Sequence, residues 1–461
     1  MRYLSTRGGE KSAAAKEAII KGLAKDGGLY VPESIPALNI QQGLSYQKLA
    51  KEILRPFLNF TEEELTACVE KAYAPSRFSH PLIAPLVTPF KNEPVHFLEL
   101  FHGPTLAFKD MALSILPHLM RASSDEDLTI LTATSGDTGK AALEAFCNAE
   151  GASIIVFYPE NGVSAMQKRQ MITQEGDNVF VFGIRGNFDD AQTGVKKLFS
   201  KGKFSSANSI NIGRLLPQIV YYFYAYEQLK TDKEVNFVVP TGNFGNILAG
   251  YYAKKMGLPI RKLICASNNN KILYDFFRSK TYDKNREFYC TISPSMDILV
   301  SSNLERLLFH ATNGEAVREM MERLDANGRF ETQVNLPDFH GGYTSEEETR
   351  KAIFEAAGKG YIIDPHTAVA YHAGKRYIEE EKDETPQVIL STASPFKFAE
   401  AVLEALGTKC PADEMECVRL LSEKSGLPVP KAIAELEHKP VRHKVVCDIV
   451  EMEEVVMKLK L

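Results

Sequence analysis

Residues 128–149 read LTILTATSGDTGKAALEAFCNA. A short apolar run over 128–132 ends in a loop of small and polar residues, Thr134 to Gly139. Apolar residues then recur at helical spacing from Lys140 to Ala149. A run that short and that apolar suits a strand buried on both faces. The same alternation spreads outward from this unit. Further candidate strands lie at 95–100, 153–158, 179–182, 236–239, 263–266 and 388–390, with helical stretches at 109–121, 191–199 and 215–229. Alternation of this kind predicts right-handed crossovers and an α/β fold with a largely parallel sheet. In such sheets ligands bind beyond the carboxyl ends of the strands.

The flanks read differently. Residues 1–92 form a separate, mostly helical unit, with helical spacing over 13–24 and 45–58 and a capping box from Thr61 to Glu64. The proline-rich stretch 75–94 reads as a linker. Residues 93–400 hold the strand–helix alternation; within them about 294–383 is richer in helix and polar residues and is expected to cover the crevice. Residues 401–461 read as a C-terminal segment packed on that core. With 461 residues the chain can bury more than one core. A net charge of −5 argues against a general nucleic-acid binder. The seven cysteines are scattered and contain no C-x-x-C pair, which reads as reduced thiols in a cytoplasmic protein and not as a disulfide frame or metal site. Neither a signal-peptide h-region nor a membrane-spanning stretch is visible.

Two loops fall at strand-to-helix junctions, Thr134–Gly139 (TSGDTG) and 240–246 (PTGNFGN). Each can turn backbone N–H groups toward an anion at a helix start, or can simply be a capped turn. The first is no P-loop: Thr134 replaces the leading glycine and Ala141 the magnesium-binding hydroxyl. Neither loop reads G-x-G-x-x-G, so a dinucleotide enzyme is poorly supported. Residues 102–110 read HGPTLAFKD. A strand ends, a Gly-Pro turn follows, and a helix is expected from about Ala107. Lys109 would then sit in the first turn, where the helix dipole disfavours a cation and lowers the amine pKa.

These segments together resemble the threonine synthase family. The HGPTLAFKD, TSGDTG and PTGNFGN segments resemble that family's motifs in order. So do SINIGR (209–214), SPSMDI (293–298) with SNLER (302–306), and DPHTA (364–368); RYLSTRGG and DGGLYVP are similar to its extra N-terminal domain. The resemblance implies a fold type II pyridoxal-phosphate enzyme, with large and small α/β domains and a helical N-terminal domain. It implies that Lys109 is the catalytic residue and carries pyridoxal 5'-phosphate as a Schiff base. Gly242, Asn243, Phe244, Gly245 and Asn246 would hold the cofactor phosphate, and Thr392 would meet the pyridine nitrogen.

By the same resemblance Ser135 and Thr138 would receive the substrate carboxylate. Lys168, Arg169 and Arg214 are candidates for the substrate phosphate, with a solvated helix face as the alternative for Lys168 and Arg169. Asp137 would cap its helix or bond near the cofactor oxygen, and His366 would either support the residues that touch the ligands or be a satisfied core histidine, the second being favoured. The family usually has a histidine near position 394, whereas this chain reads SPFKF from Ser394. The reaction implied converts O-phospho-L-homoserine and water to L-threonine and phosphate, in a cytoplasmic monomer or homodimer with no nucleic-acid or membrane partner. A related phospho-lyase releasing 2-oxobutyrate, ammonia and phosphate is the alternative.

Overall fold

The structure is a computed structural model. It describes every residue except Asn92, Ser135, Gly162, 200–203, Lys460 and Leu461, and the side chains of Phe188, Asp189 and Lys196. Two sheets with parallel pairing carry the fold. In the six-stranded sheet the order is Phe339–Tyr343, Ile260–Ser267, Val235–Pro240, Gln387–Ser391, Val95–Glu99 and Leu86–Val87. Only the last strand runs antiparallel to its neighbour. It falls inside the stretch expected to be a linker. The five-stranded sheet runs Val446–Cys447, Phe182's strand Val179–Ile184, Ala152–Pro159, Leu128–Ala133 and Phe204–Ser206, all parallel. Every strand expected from the apolar runs is present, with the ends moved by a few residues. The central strands are buried almost throughout, as expected where helices cover both faces.

Two long helices expected from periodicity are each broken by a proline. The stretch expected at 109–121 divides into Asp110–Leu113 and Leu116–Ser123, with Pro117 in the first turn of the second piece. The stretch at 215–229 divides at Pro217 into Ile212–Leu215 and Gln218–Leu229. Proline has no N–H to donate and its ring crowds the preceding turn, so it starts a new helix in each case.

The region about 294–383 is more than a cover. Phe339–Tyr343 adds a strand to the six-stranded sheet, and Pro365–Glu381 packs on that sheet's central strands. Glycines hide this strand from a pattern reading. A Cβ on Gly342 would stand 2.9 Å from Ala373 Cβ, so the glycine allows the long helix its close approach.

Near the N-terminus, Arg2–Ser5 pairs antiparallel with Ala13–Ala14 and Tyr30–Pro32, a small sheet that the expectation of a mostly helical unit did not include. Helices Ala15–Lys21, Tyr46–Leu54 and Glu62–Ala72 complete it, the last with the expected Thr61–Glu64 capping box. The expectation of reduced cysteines is also corrected, because Cys410 and Cys417 form a disulfide. Helix Glu414–Ser425 carries Cys417 back over the preceding loop, bringing the Cα atoms to 5.7 Å, within the span a disulfide bridges. Cys68, Cys147, Cys265, Cys290 and Cys447 are free. Among the described residues no helix is long and apolar enough to cross a membrane.

Candidate active site

The carboxyl ends of strands from both sheets open on one cavity of about 110 Å³. Its lining includes Lys109, Thr138, Arg214, Asn246, Ser295 and Thr392. Lys109 follows the strand Val95–Glu99 through the HGPT turn. That turn is clamped to the end of the strand Gln387–Ser391: Phe108 N–H donates to the Thr392 carbonyl at 2.8 Å, and Ser394 N–H to the Leu106 carbonyl at 3.0 Å. Leu106 holds a left-handed backbone (φ 60°) in this clamp, an arrangement that persists only where the surroundings fix it. The Asp110 carboxylate accepts from Thr105 N–H at 2.8 Å and Thr105 Oγ1 at 2.6 Å, closing the turn.

The helix begins at Asp110 and spans four residues, so Lys109 precedes it instead of occupying its first turn. A dipole that short is not the main influence on the amine. Burial lowers the Lys109 pKa, with Lys397 and Arg214 adding to the effect and Asp137 opposing it. The amine lies 3.6 Å from Asp137 Oδ2 and donates to Ser295 Oγ at 3.3 Å.

Asp137 opens the helix Asp137–Phe146 from the TSGDTG loop. Burial pushes its pKa up, but Lys397 and Lys109 outweigh that and hold the carboxyl well below the usual carboxylate range. The sequence reading named neither Ser295, which lines the cavity, nor Lys397, which lies behind it, as a site residue; Lys397 is the less expected of the two. Its ammonium is buried and lies 2.8 Å from Asp137 Oδ1. The available signal was a lysine inside the apolar run PFKF, a place where an unpaired charge would be costly. Thr138 lines the cavity; Ser135 lies outside the described residues. His366, expected in the core, also lines the cavity: its Nε2 accepts from Ser295 N–H at 3.1 Å, and its Nδ1 meets Asp364 Oδ1 at 2.8 Å.

The 240–246 loop follows the strand Val235–Pro240. Its carbonyls are tied down by residues outside the cavity lining. Ser301 Oγ donates to the Gly242 carbonyl at 2.7 Å, and the Asn303 backbone and side chain both donate to the Asn243 carbonyl, at 3.1 and 2.9 Å. Phe244 turns through a left-handed conformation (φ 63°), its ring packed on Phe277 and Phe339. A Cβ on Gly242 would stand 2.6 Å from the Ser295 carbonyl, so the loop needs glycine there. Gly245 and Asn246 begin the next helix. Asn246 Oδ1 accepts from the hydroxyls of Tyr221 (2.6 Å) and Tyr222 (3.0 Å), while its Nδ2 has no partner among the described residues.

Arg214 is buried, with Nη1 on the Ala207 carbonyl at 2.9 Å and Nε without a partner among the described residues. It makes no ion pair among the described residues, and burial pushes its pKa down to about 10. The other two phosphate candidates do not line the cavity. Lys168 is about a third exposed and lies 3.7 Å from Glu160. Arg169 donates to the carbonyls of Leu436 (3.1 Å) and Lys439 (3.0 Å), so its donors pin the C-terminal segment.

The chain matches three family profiles. Residues 2–73 match the threonine synthase N terminus, 84–393 the pyridoxal-phosphate dependent enzymes, and 367–456 the threonine synthase C-terminal region. It is 42% identical to a threonine synthase of Pseudomonas aeruginosa over 89% of this chain and 92% of that one. It is 40% identical to human threonine synthase-like 1, over 87% of this chain and 59% of the human protein. A solved structure of pyridoxal-phosphate-bound threonine synthase from Brucella melitensis superposes with a TM-score of 0.89, at 37% identity, with both chains fully covered. With a buried lysine at the mouth of its parallel sheets, beside donors that have no partner among the described residues, the chain belongs to the threonine synthase family of pyridoxal-phosphate-dependent lyases.

Proposed function

We propose that the chain converts O-phospho-L-homoserine and water into L-threonine and phosphate. The observation that carries this reading is Arg214, a buried guanidinium that shares the cavity with Lys109 and has no carboxylate partner among the described residues. Keeping a buried cation unpaired is costly until an anion arrives, and the planar fork of arginine suits phosphate. The unpartnered amide of Asn246 and the 240–246 loop offer donors for a second anion in the same cavity.

These features fit pyridoxal phosphate, which when bound supplies an aldehyde that condenses with amines and a ring that takes up an electron pair from the α-carbon. In this reading Gly242, Asn243, Phe244, Gly245 and Asn246 hold its phosphate and Thr392 meets its ring nitrogen. Thr138 and Ser135 receive the substrate carboxylate, and Arg214 receives the substrate phosphate. The Lys109 amine takes and returns protons at the carbons beside the substrate amine, because burial leaves it a usable base. Lys168 and Arg169 drop out, since neither reaches the cavity.

A phospho-lyase that releases 2-oxobutyrate and ammonia would use the same amine and phosphate pocket. Incubating purified protein with O-phospho-L-homoserine and measuring all products separates the two. Threonine and phosphate in equal amounts are expected; phosphate with 2-oxobutyrate and no threonine would replace this reading with the lyase.

A further inference from the structure

A lone carboxylate would repel the anions this cavity receives, yet Asp137 is buried in its wall. Its charge is answered from behind. Lys397 Nζ lies 2.8 Å from Asp137 Oδ1 and donates to the Thr105 carbonyl at 2.9 Å. Lys397 does not line the cavity, and its side chain is fully buried. On the cavity side, Asp137 Oδ2 lies 3.6 Å from Lys109 Nζ and accepts from Ser295 Oγ at 3.4 Å. Gln167 Nε2 donates to Oδ1 at 3.2 Å. Of the other charged or titratable groups near these residues, Arg214 acts on Lys109, His366 on Asp137, and Asp110 faces Lys397. The Asp137 carboxylate therefore faces two ammonium groups, and Coulomb attraction favours the nearer, Lys397.

We propose that Lys397 is a positioning residue for Lys109. It draws the Asp137 charge to the side away from the cavity, so the carboxylate orients the Lys109 amine without fixing a proton on it. Its bond to the Thr105 carbonyl ties the same ammonium to the turn that presents Lys109, so one group sets both the backbone and the charge. The inference rests on the reading of Lys109 as the reacting amine.

The test uses the full chain freed of cofactor. Reductive methylation with formaldehyde and cyanoborohydride at graded pH, followed by peptide mass mapping, gives the pH midpoint at which the Lys109 amine becomes reactive. Lys397→Gln keeps N–H donors but removes the charge, and it is expected to raise the midpoint by about one unit or more. Lys397→Arg should stay near the wild-type value, and Asp137→Asn should lower the midpoint. A residue that only supports the fold would leave all of these midpoints together. Coincident midpoints, or a lower midpoint in Lys397→Gln, overturn the proposal. Should Lys397→Gln not fold, Asp137→Asn is compared with Asp137→Asn/Lys397→Met, which removes the whole buried pair. The double variant's midpoint should lie above the single's, and equality overturns the proposal. Borohydride that fixes no cofactor on Lys109 of the wild-type protein would instead overturn the reading of the reacting amine, leaving the midpoints to stand by themselves.

Discussion

Arg214 and Asp110 show how single buried groups carry measurable consequences. Replacing Arg214 with methionine removes a desolvated cation that no described carboxylate offsets. The ligand-free Arg214→Met protein should therefore melt no lower than wild type. Inorganic phosphate should raise the melting temperature of wild type and not of the variant. Its kcat/KM for the proposed substrate, O-phospho-L-homoserine, should fall by ~100-fold, or about 3 kcal/mol, as expected for losing charge-assisted bonds. Asp110 makes a prediction about pH. Burial raises its pKa from 3.8 to about 6, despite the two bonds from Thr105. The folded state then holds the proton more tightly than the unfolded state. This contribution to stability is present below about pH 4 and is lost as pH rises through 6, a change of about 3 kcal/mol. Asp110→Asn keeps an acceptor for Thr105 and should remove that part of the slope, read from urea unfolding at pH 4 and pH 7.

Pairs of elements fix what single residues cannot. Helix Gln218–Leu229 presents the Tyr221 and Tyr222 hydroxyls to one oxygen of Asn246, on helix Gly245–Lys255. Two donors on that oxygen decide which way round the amide sits and leave its NH₂ for the cavity. Either tyrosine changed to phenylalanine leaves one donor in place and should weaken cofactor binding only slightly. The Tyr221→Phe/Tyr222→Phe double variant frees the amide to rotate and should raise the cofactor Kd by ~10-fold or more, a loss of about 1.4 kcal/mol or above. Titration of cofactor fluorescence checks this. Equal effects in the single and double variants would show that the pair does not set the amide.

Over the whole molecule, the N-terminal sheet is fastened to the site through helix Leu304–Ala311. Thr6 and Arg7 both bond the Glu305 carboxylate, Arg7 through two nitrogens at 3.0 and 3.1 Å. Arg306 is fully buried and donates to the Tyr30 carbonyl (2.9 Å), the Ile210 carbonyl (2.6 Å) and Asn303 Oδ1. Asn303 in turn holds the Asn243 carbonyl of the 240–246 loop. Arg306→Met would strand buried carbonyls from two distant segments. It should cost about 3 kcal/mol in urea unfolding and loosen cofactor binding as well. A variant with wild-type stability would mean that the N-terminal sheet docks by its apolar surface alone.

Apolar runs, glycine loops and motif order determined the parallel strands, the helices between them, the Lys109 turn and the family. Each of these is written in residues close together in the chain, where periodicity and turn chemistry act. The partners of buried charges come from far along the sequence, so only the tertiary structure decided them. Lys397 meets Asp137 across the two sheets, and Arg169 turns to the carbonyls of Leu436 and Lys439, while Arg214 has no carboxylate partner among the described residues. The strand Phe339–Tyr343 was hidden for the same reason: its glycines look like a loop until the helix Pro365–Glu381 that needs them lies against it. Periodicity marks which residues are buried, but burial alone does not say which neighbour answers a buried charge.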